Sequence, residues 1–155
     1  MASGTFYLPG ARTNDNLIIT AAYQQHGKND VIGFSNNFPF SRGYTSENLY
    51  KLYKAGANYH FPIAYPDAGM ANTAYLLRIR GNAFYEYTRG TDFFNNGSKF
   101  KANFNSVGMA VFFDTKFFNQ QSLSFGIRYS HLLNDDYFGG TGRDRIELVL
   151  PVSIF

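Results

Sequence analysis

The stretch "SLSFGIRYSHL", residues 122–132, decides the fold class, because its side chains alternate between apolar and polar. One side of the extended chain carries the apolar residues Leu123, Phe125, Ile127 and Tyr129, and the other carries Ser, Gly and Arg. Successive side chains of a β-strand point to opposite faces of its sheet. The pattern therefore predicts a strand with one apolar and one polar face.

The same alternation recurs along the chain, and no segment has the period of a helix. We predict an all-β, antiparallel domain over residues 1–155, with eight strands at residues 5–8, 16–25, 31–39, 51–65, 73–88, 101–117, 122–133 and 145–155. Short connections such as "GKND" alternate with long ones such as "FPFSRGYTSEN". This layout is typical of transmembrane barrels, which have short turns in the periplasm and long loops outside. An even strand count would place both chain ends on the periplasmic side.

Composition favours the same class. Phe and Tyr make up 19% of the 155 residues and charged residues only 16%, whereas a soluble enzyme of this size normally has more charge and fewer aromatics. The net charge is +3 and the basic residues are scattered, which argues against a nucleic-acid partner. The chain has no apolar run of transmembrane-helix length, and its first residues lack the pattern of a secretory signal.

The polar faces carry the residues expected to line a lumen: Arg78, Arg80, Asn82 and Arg128, together with Glu86. Such groups cannot line a small dry core without dedicated partners. The alternative is a soluble eight-stranded barrel or sandwich with an apolar core, but aromatics towards the ends of the apolar faces resemble the girdles of a membrane barrel. Because these side chains are bulky for a narrow interior, we expect half of a larger barrel, completed by another chain.

Four motifs, in order, resemble the BamA-type superfamily of outer-membrane assembly factors and secretion transporters: "SRGY" at 41–44, "NYHFPI" at 58–63, "NAFYEYTRG" at 82–90 and "NSVGMAVFFDT" at 105–115. The resemblance covers nearly the whole chain and corresponds to strands nine to sixteen of a sixteen-stranded barrel. Two positions depart from the family pattern, with Glu86 where Asp is usual and Thr88 where Gly is usual.

The resemblance implies that the loop carrying Arg42, Gly43 and Tyr44 folds back into the barrel, where Arg42 meets Glu86. A guanidinium can bind a carboxylate in bidentate fashion, and glycine allows a tight turn. The terminal Phe155 resembles the C-terminal signal for insertion of outer-membrane barrels. The implied function is protein insertion or translocation in the outer membrane of a Gram-negative-type bacterium. The implied partners are membrane lipids, an N-terminal half-barrel or other barrel chain, assembly-machine subunits and unfolded client proteins.

Two other functions remain open at this point. The chain could be a barrel whose only role is to anchor a missing periplasmic or surface domain. It could also be a barrel lipid hydrolase that uses Ser130 and His131. The hydrolase is disfavoured because neighbouring residues on a strand point to opposite faces. The histidines, His26, His60 and His131, have no ligand spacing. We therefore expect no catalytic residue, no metal and no cofactor.

Overall fold

The computed structural model describes residues 1–26, 38–46, 49–70, 73–93, 97–118, 121–136, 139 and 142–150. These residues form eight strands: β1 (Ala2–Pro9), β2 (Asn16–Gln25), β3 (Lys51–Ala64), β4 (Ala68–Met70), β5 (Ala74–Phe93), β6 (Lys99–Phe117), β7 (Gln121–Leu132) and β8 (Asp144–Val149). They contain no helix, and so none that is long and apolar enough to span a membrane.

The strands form a single antiparallel sheet in the order β1-β2-β3-β5-β6-β7-β8, and the short β4 pairs with β5 beside this path. The all-β, antiparallel prediction is confirmed. The sheet is open: within the described ranges, β1 and β8 are its two edges and do not pair with each other. We call the end that carries the β2–β3, β5–β6 and β7–β8 connections the loop end, and the opposite end the turn end.

A strand was predicted at residues 31–39, between β2 and β3, but β2 and β3 are direct neighbours in the sheet. β2 pairs directly with β3 along its whole length, so both of its edges are occupied. Phe38 and Pro39 are not in a strand, and residues 31–37 lie outside the described residues. The eighth strand is instead β4, inside a connection predicted as a turn. The path of the sheet therefore has seven strands, so Ala2 at the start of β1 lies at the loop end and Val149 at the end of β8 lies at the turn end. The prediction that both chain ends share one side is wrong.

The two faces of the sheet have opposite chemistry. One face, here called the polar face, carries buried polar side chains that include Asn58, Asn82, Glu86, Thr88, Ser106 and Ser130. The other, called the apolar face, leaves large hydrophobic side chains exposed, among them Ile19, Tyr85, Val107, Met109, Ile127, Tyr129 and Ile146. Both sets follow directly from the period-2 pattern and the antiparallel register.

A small apolar cluster lies at the loop end of the polar face. Residues 38–46, here called the tip segment, lie on this end, where Phe38 and Tyr44 are buried. The cluster comprises Ala22, Phe38, Tyr44, Leu49, Leu52, Ala102, Phe104 and Leu132. The sheet therefore uses the tip segment to cover the loop end of its polar face.

Candidate functional site

The tip segment reverses direction at its centre. The Tyr44 amide donates to the Ser41 carbonyl oxygen at 3.3 Å, which closes a turn around Arg42 and Gly43. Gly43 has a φ of 86°, in the left-handed region that residues with a Cβ rarely adopt. The "SRGY" motif therefore forms a tight turn, as the sequence predicts for this glycine.

Gly43 also packs closely against the sheet. A Cβ added at this position would lie 2.9 Å from the Leu132 Cδ2 and 3.1 Å from the Ser130 Cβ, both on β7. A side chain here would crowd Leu132 and Ser130, so one of these side chains or the tip would have to shift. Glycine thus lets the tip backbone rest directly on the polar face.

The structure brings Arg42 and Glu86 into contact. The Arg42 backbone N–H donates to Glu86 Oε2 at 2.7 Å, and its guanidinium Nη2 donates to Oε1 at 2.9 Å. The guanidinium also donates to the Asn58 side-chain oxygen and lies 3.7 Å from the centre of the Phe84 ring. The Glu86 side chain is only 4% exposed, so this is a nearly dry ion pair.

Lys54 is a third member of the site that the sequence reasoning missed. Its ammonium lies 3.0 Å from Glu86 Oε1 and donates to the Phe40 carbonyl oxygen at 3.0 Å. One carboxylate therefore binds two cations, and the second of them also holds the tip backbone. The alternation of β3 already places Lys54 on the polar side of its strand, but its position opposite Thr88 depends on the strand register.

The residues that flank Arg42 and Gly43 bind the sheet through hydroxyl groups. The Ser41 and Thr88 hydroxyls lie 2.7 Å apart. The Tyr44 hydroxyl lies 2.8 Å from the Asn105 carbonyl oxygen, and it accepts from the Asn134 amide at 3.1 Å. Burial raises the pKa of the Tyr44 phenol, which keeps it protonated. Thr88, which departs from the family pattern, thus has a direct partner in the tip.

The predicted lumen-facing residues lie on the same face as Glu86 but nearer the turn end. Arg78 and Arg80 share one carboxylate: Arg80 Nη2 lies 2.9 Å from Asp114 Oδ1, and the Arg78 Nε donates to the other oxygen. Arg128 Nη1 lies 3.2 Å from Glu147 Oε2. Asn82 contacts His60 at 2.9 Å. These residues therefore form a group separate from the contacts between the tip segment and Glu86.

Ser130 and His131 lie on opposite faces, as the strand geometry requires. Ser130 is buried beneath Gly43, whereas His131 Nδ1 lies 2.8 Å from Asp144 Oδ1 on the apolar face. Among the residues that the structure describes, no group of three metal-binding side chains is present. Phe155 lies outside the described residues.

Comparison of the chain with protein-family models, curated proteins and solved structures returns no match. The site is therefore interpreted from its own geometry. What that geometry can do is mechanical: a carboxylate between two cations, two hydroxyl contacts and a glycine without a Cβ hold the tip segment against one wall of the sheet.

Proposed function

We propose that the chain forms the C-terminal part of an outer-membrane β-barrel that inserts or translocates proteins in the manner of BamA-type machines. In this proposal the polar face lines the lumen, the apolar face contacts lipid, and Arg42 holds the tip segment on the lumenal wall. One observation carries it: the tip segment packs on the loop end of the polar face, and the apolar face keeps large hydrophobic side chains exposed.

The exposed apolar face supports a lipid environment. Met109 is 62% exposed, Ile127 54% and Ile146 78%. Soluble monomers rarely expose a contiguous apolar patch of more than a few hundred Å², because the contact of apolar surface with water is unfavourable. Hydrocarbon removes that penalty. The same residues that would promote aggregation in water would stabilise the sheet in a bilayer.

The dimensions also suit a membrane. From Val107 to Phe117 the apolar side of β6 covers ten residue steps, or about 33 Å of strand at the usual rise. A strand tilted by about 40° converts this length into a height of about 25 Å, which is the height of the apolar band of outer-membrane barrels. Tyr23, Tyr53 and Tyr87 lie above this band, at the level expected for an aromatic girdle.

The polar face requires a barrel with a wide lumen. Arg78, Arg80 and Arg128 lie on it along with the tip segment, and a barrel of only the seven strands on this path would enclose no more space than packed side chains fill. No described strand pairs with the outer edge of β1 or with that of β8. A second sheet that pairs with both edges would close a barrel of about sixteen strands, as the family resemblance implies.

The assignment of faces can be tested with single tryptophans, because the chain contains none. Ile127 lies on the apolar face, where it pairs with Val111 of β6. His60 lies on the polar face at a similar depth, because its neighbour Phe61 is at the same level of the sheet as Val111 and Ile127. In vesicles with brominated acyl chains, fluorescence of Ile127→Trp should be quenched and that of His60→Trp should not. Equal quenching, or no insertion into vesicles, would contradict the proposal.

The proposed activity needs a separate assay. Vesicles that carry the refolded chain should accelerate the folding of a small unfolded barrel protein, compared with empty vesicles. Glu86→Gln should reduce this acceleration, because the variant weakens the hold on the tip. A chain that inserts normally but gives no acceleration would instead be a membrane anchor.

A further inference from the structure

Four cationic side chains meet at the loop end of the apolar face. Lys51 on β3 and Lys101 on β6 both pair with Thr91 of β5. Arg89 lies two residues before Thr91 on β5, and Lys99 pairs with Phe93. Neighbouring strands are about 4.8 Å apart, so Lys51 and Lys101 are rooted within about 10 Å of each other. We call these four residues the basic rim. They line a shallow cavity of about 690 Å³.

The basic rim has no acidic partner in the described part of the chain. Its cavity is lined by aromatic and cationic side chains and one threonine, without a described Asp or Glu. None of its four cations forms an ion pair with a described carboxylate, whereas Arg42, Arg80 and Arg128 each have one. Like charges on adjacent strands repel each other, so this arrangement favours an anion from outside the chain.

Aromatic rings surround the same charges. The Lys51 ammonium lies 5.2 Å from the centre of the Tyr53 ring and 5.5 Å from that of Tyr23. Tyr50 and Phe93 pack edge to face at 5.2 Å. Tyr and cationic side chains are typical of the depth at which lipid headgroups meet water. Below the rim, towards the turn end, the apolar band begins at Tyr85 and Val107.

We propose that the basic rim binds the phosphate groups of an anionic lipid in the leaflet that the loop end faces. Lysines act as point charges for phosphate, and a guanidinium binds two phosphate oxygens at once. The acyl chains would lie along the apolar face directly beneath. This inference rests on the proposed membrane location, since it requires the apolar face to contact lipid.

The test measures binding of a dye-labelled diacyl lipid with a phosphate headgroup to the refolded chain in neutral detergent micelles. The variant Arg89→Gln with Lys101→Gln removes two rim charges. Each Lys or Arg near an anionic surface contributes about a fivefold gain in binding, so we expect this variant to bind about 25-fold more weakly. The control, Arg12→Gln with Lys116→Gln, removes two charges at the turn end and should bind within about twofold of the parent chain.

Two further measurements identify the source of the phosphate. The same diacyl lipid with a neutral headgroup should bind at least tenfold more weakly, and inorganic phosphate should not displace the labelled lipid at equal concentration. Displacement by inorganic phosphate would mean a site for free phosphate and overturn the lipid assignment. Raising the salt concentration should weaken binding, because exposed charges are screened.

Failure of this inference differs from failure of the proposed function. A chain that inserts into neutral vesicles but shows no preference for the phosphate lipid, or whose rim and control variants bind alike, would overturn the inference alone. A chain that does not insert into any vesicle would overturn the proposed function. Circular dichroism of each variant in micelles excludes a loss of fold as the cause of weaker binding. Lys99→Gln alone is a milder variant, and we expect it to bind the phosphate lipid about fivefold more weakly than the parent chain.

Discussion

Arg42 and Glu86 are joined at two points, because one carboxylate accepts from both the backbone N–H and the guanidinium of the same residue. The first bond orients the peptide of the turn, and the second fixes the side chain. Lys54 adds a third contact to the same carboxylate. Glu86 is therefore the centre of the site, and Arg42 is one of two cations around it.

This asymmetry predicts unequal effects of the two substitutions. Arg42→Ala keeps the backbone bond and leaves Glu86 with Lys54, so it should lower the free energy of unfolding by about 1.5–3 kcal/mol. Glu86→Ala leaves two cations without their partner and should cost about 3–5 kcal/mol. The double variant should cost much less than the sum. Urea unfolding in detergent micelles measures all three values, and additive costs would show that the two residues act independently.

Trypsin provides a second readout of the same contact. The Arg42–Gly43 bond should be cut slowly in the parent chain, because the Arg42 side chain is only 18% exposed and its backbone N–H is bonded to Glu86. Glu86→Gln should increase the cutting rate several-fold. Rapid cutting of the parent chain at this bond would mean that the tip is not held on the sheet.

Gly43→Ala should be more destabilising than Gly97→Ala. Both glycines have positive φ, 86° and 79°, so the strained backbone of an alanine should lower the free energy of unfolding by about 1 kcal/mol at each position. Only at Gly43 would the new Cβ crowd Leu132 and Ser130, whereas no described atom lies within 4 Å at Gly97. Crowding of this kind typically adds about 1–3 kcal/mol. Equal costs in the same unfolding assay would contradict the close approach of tip and β7.

Tyr44→Phe should loosen the tip without removing its ring. The hydroxyl contacts the Asn105 carbonyl oxygen and accepts from the Asn134 amide, so the variant leaves these groups without that partner. We expect a loss of about 1–3 kcal/mol, while the packing of the ring on Phe104 at 5.4 Å is kept. Ser41→Ala, which removes the contact with Thr88, is a comparable single-hydroxyl variant. An unchanged unfolding free energy for Tyr44→Phe would show that these bonds contribute nothing.

A charge should be tolerated on the polar face and not on the apolar one. Ile127→Lys places an ammonium in the proposed lipid-facing band and should cost about 2–4 kcal/mol in vesicles. His60→Lys places the same charge at a similar depth on the opposite face, beside a cavity of about 510 Å³, and should cost about 1 kcal/mol or less. Equal costs in vesicle folding assays would be incompatible with the assignment of faces.

Much of the sheet follows from local pattern. The period-2 alternation predicts β2, β3, β6 and β7 to within two residues, and the start of β5, because each strand has one polar and one apolar face. β5 extends five residues beyond its predicted end. It cannot tell which stretches find a partner edge. Residues 31–39 were predicted as a strand, yet β2 already pairs with β1 and β3, so the sheet has no place for another strand there.

The contacts between charged side chains depend on register, which the local pattern does not determine. The pairing of Arg42 with Glu86 was expected from the family resemblance. The part of Lys54 was not, because it required β3 to lie beside β5 with Lys54 opposite Thr88. Asp114 was missed for the same reason: a register shift between Leu76 and Arg78 brings it opposite Arg78, where it also binds Arg80.

The open edges of the sheet have a kinetic consequence. Every unpaired backbone N–H and C=O on β1 and β8 must find a hydrogen-bond partner before it can enter hydrocarbon. If that partner is supplied by another molecule, insertion is a reaction of second or higher order, and its half-time shortens as the protein concentration rises. If the chain closes on itself, the reaction is first order and the half-time is constant. The order of the insertion reaction would therefore report whether these edges are paired within one molecule or between molecules.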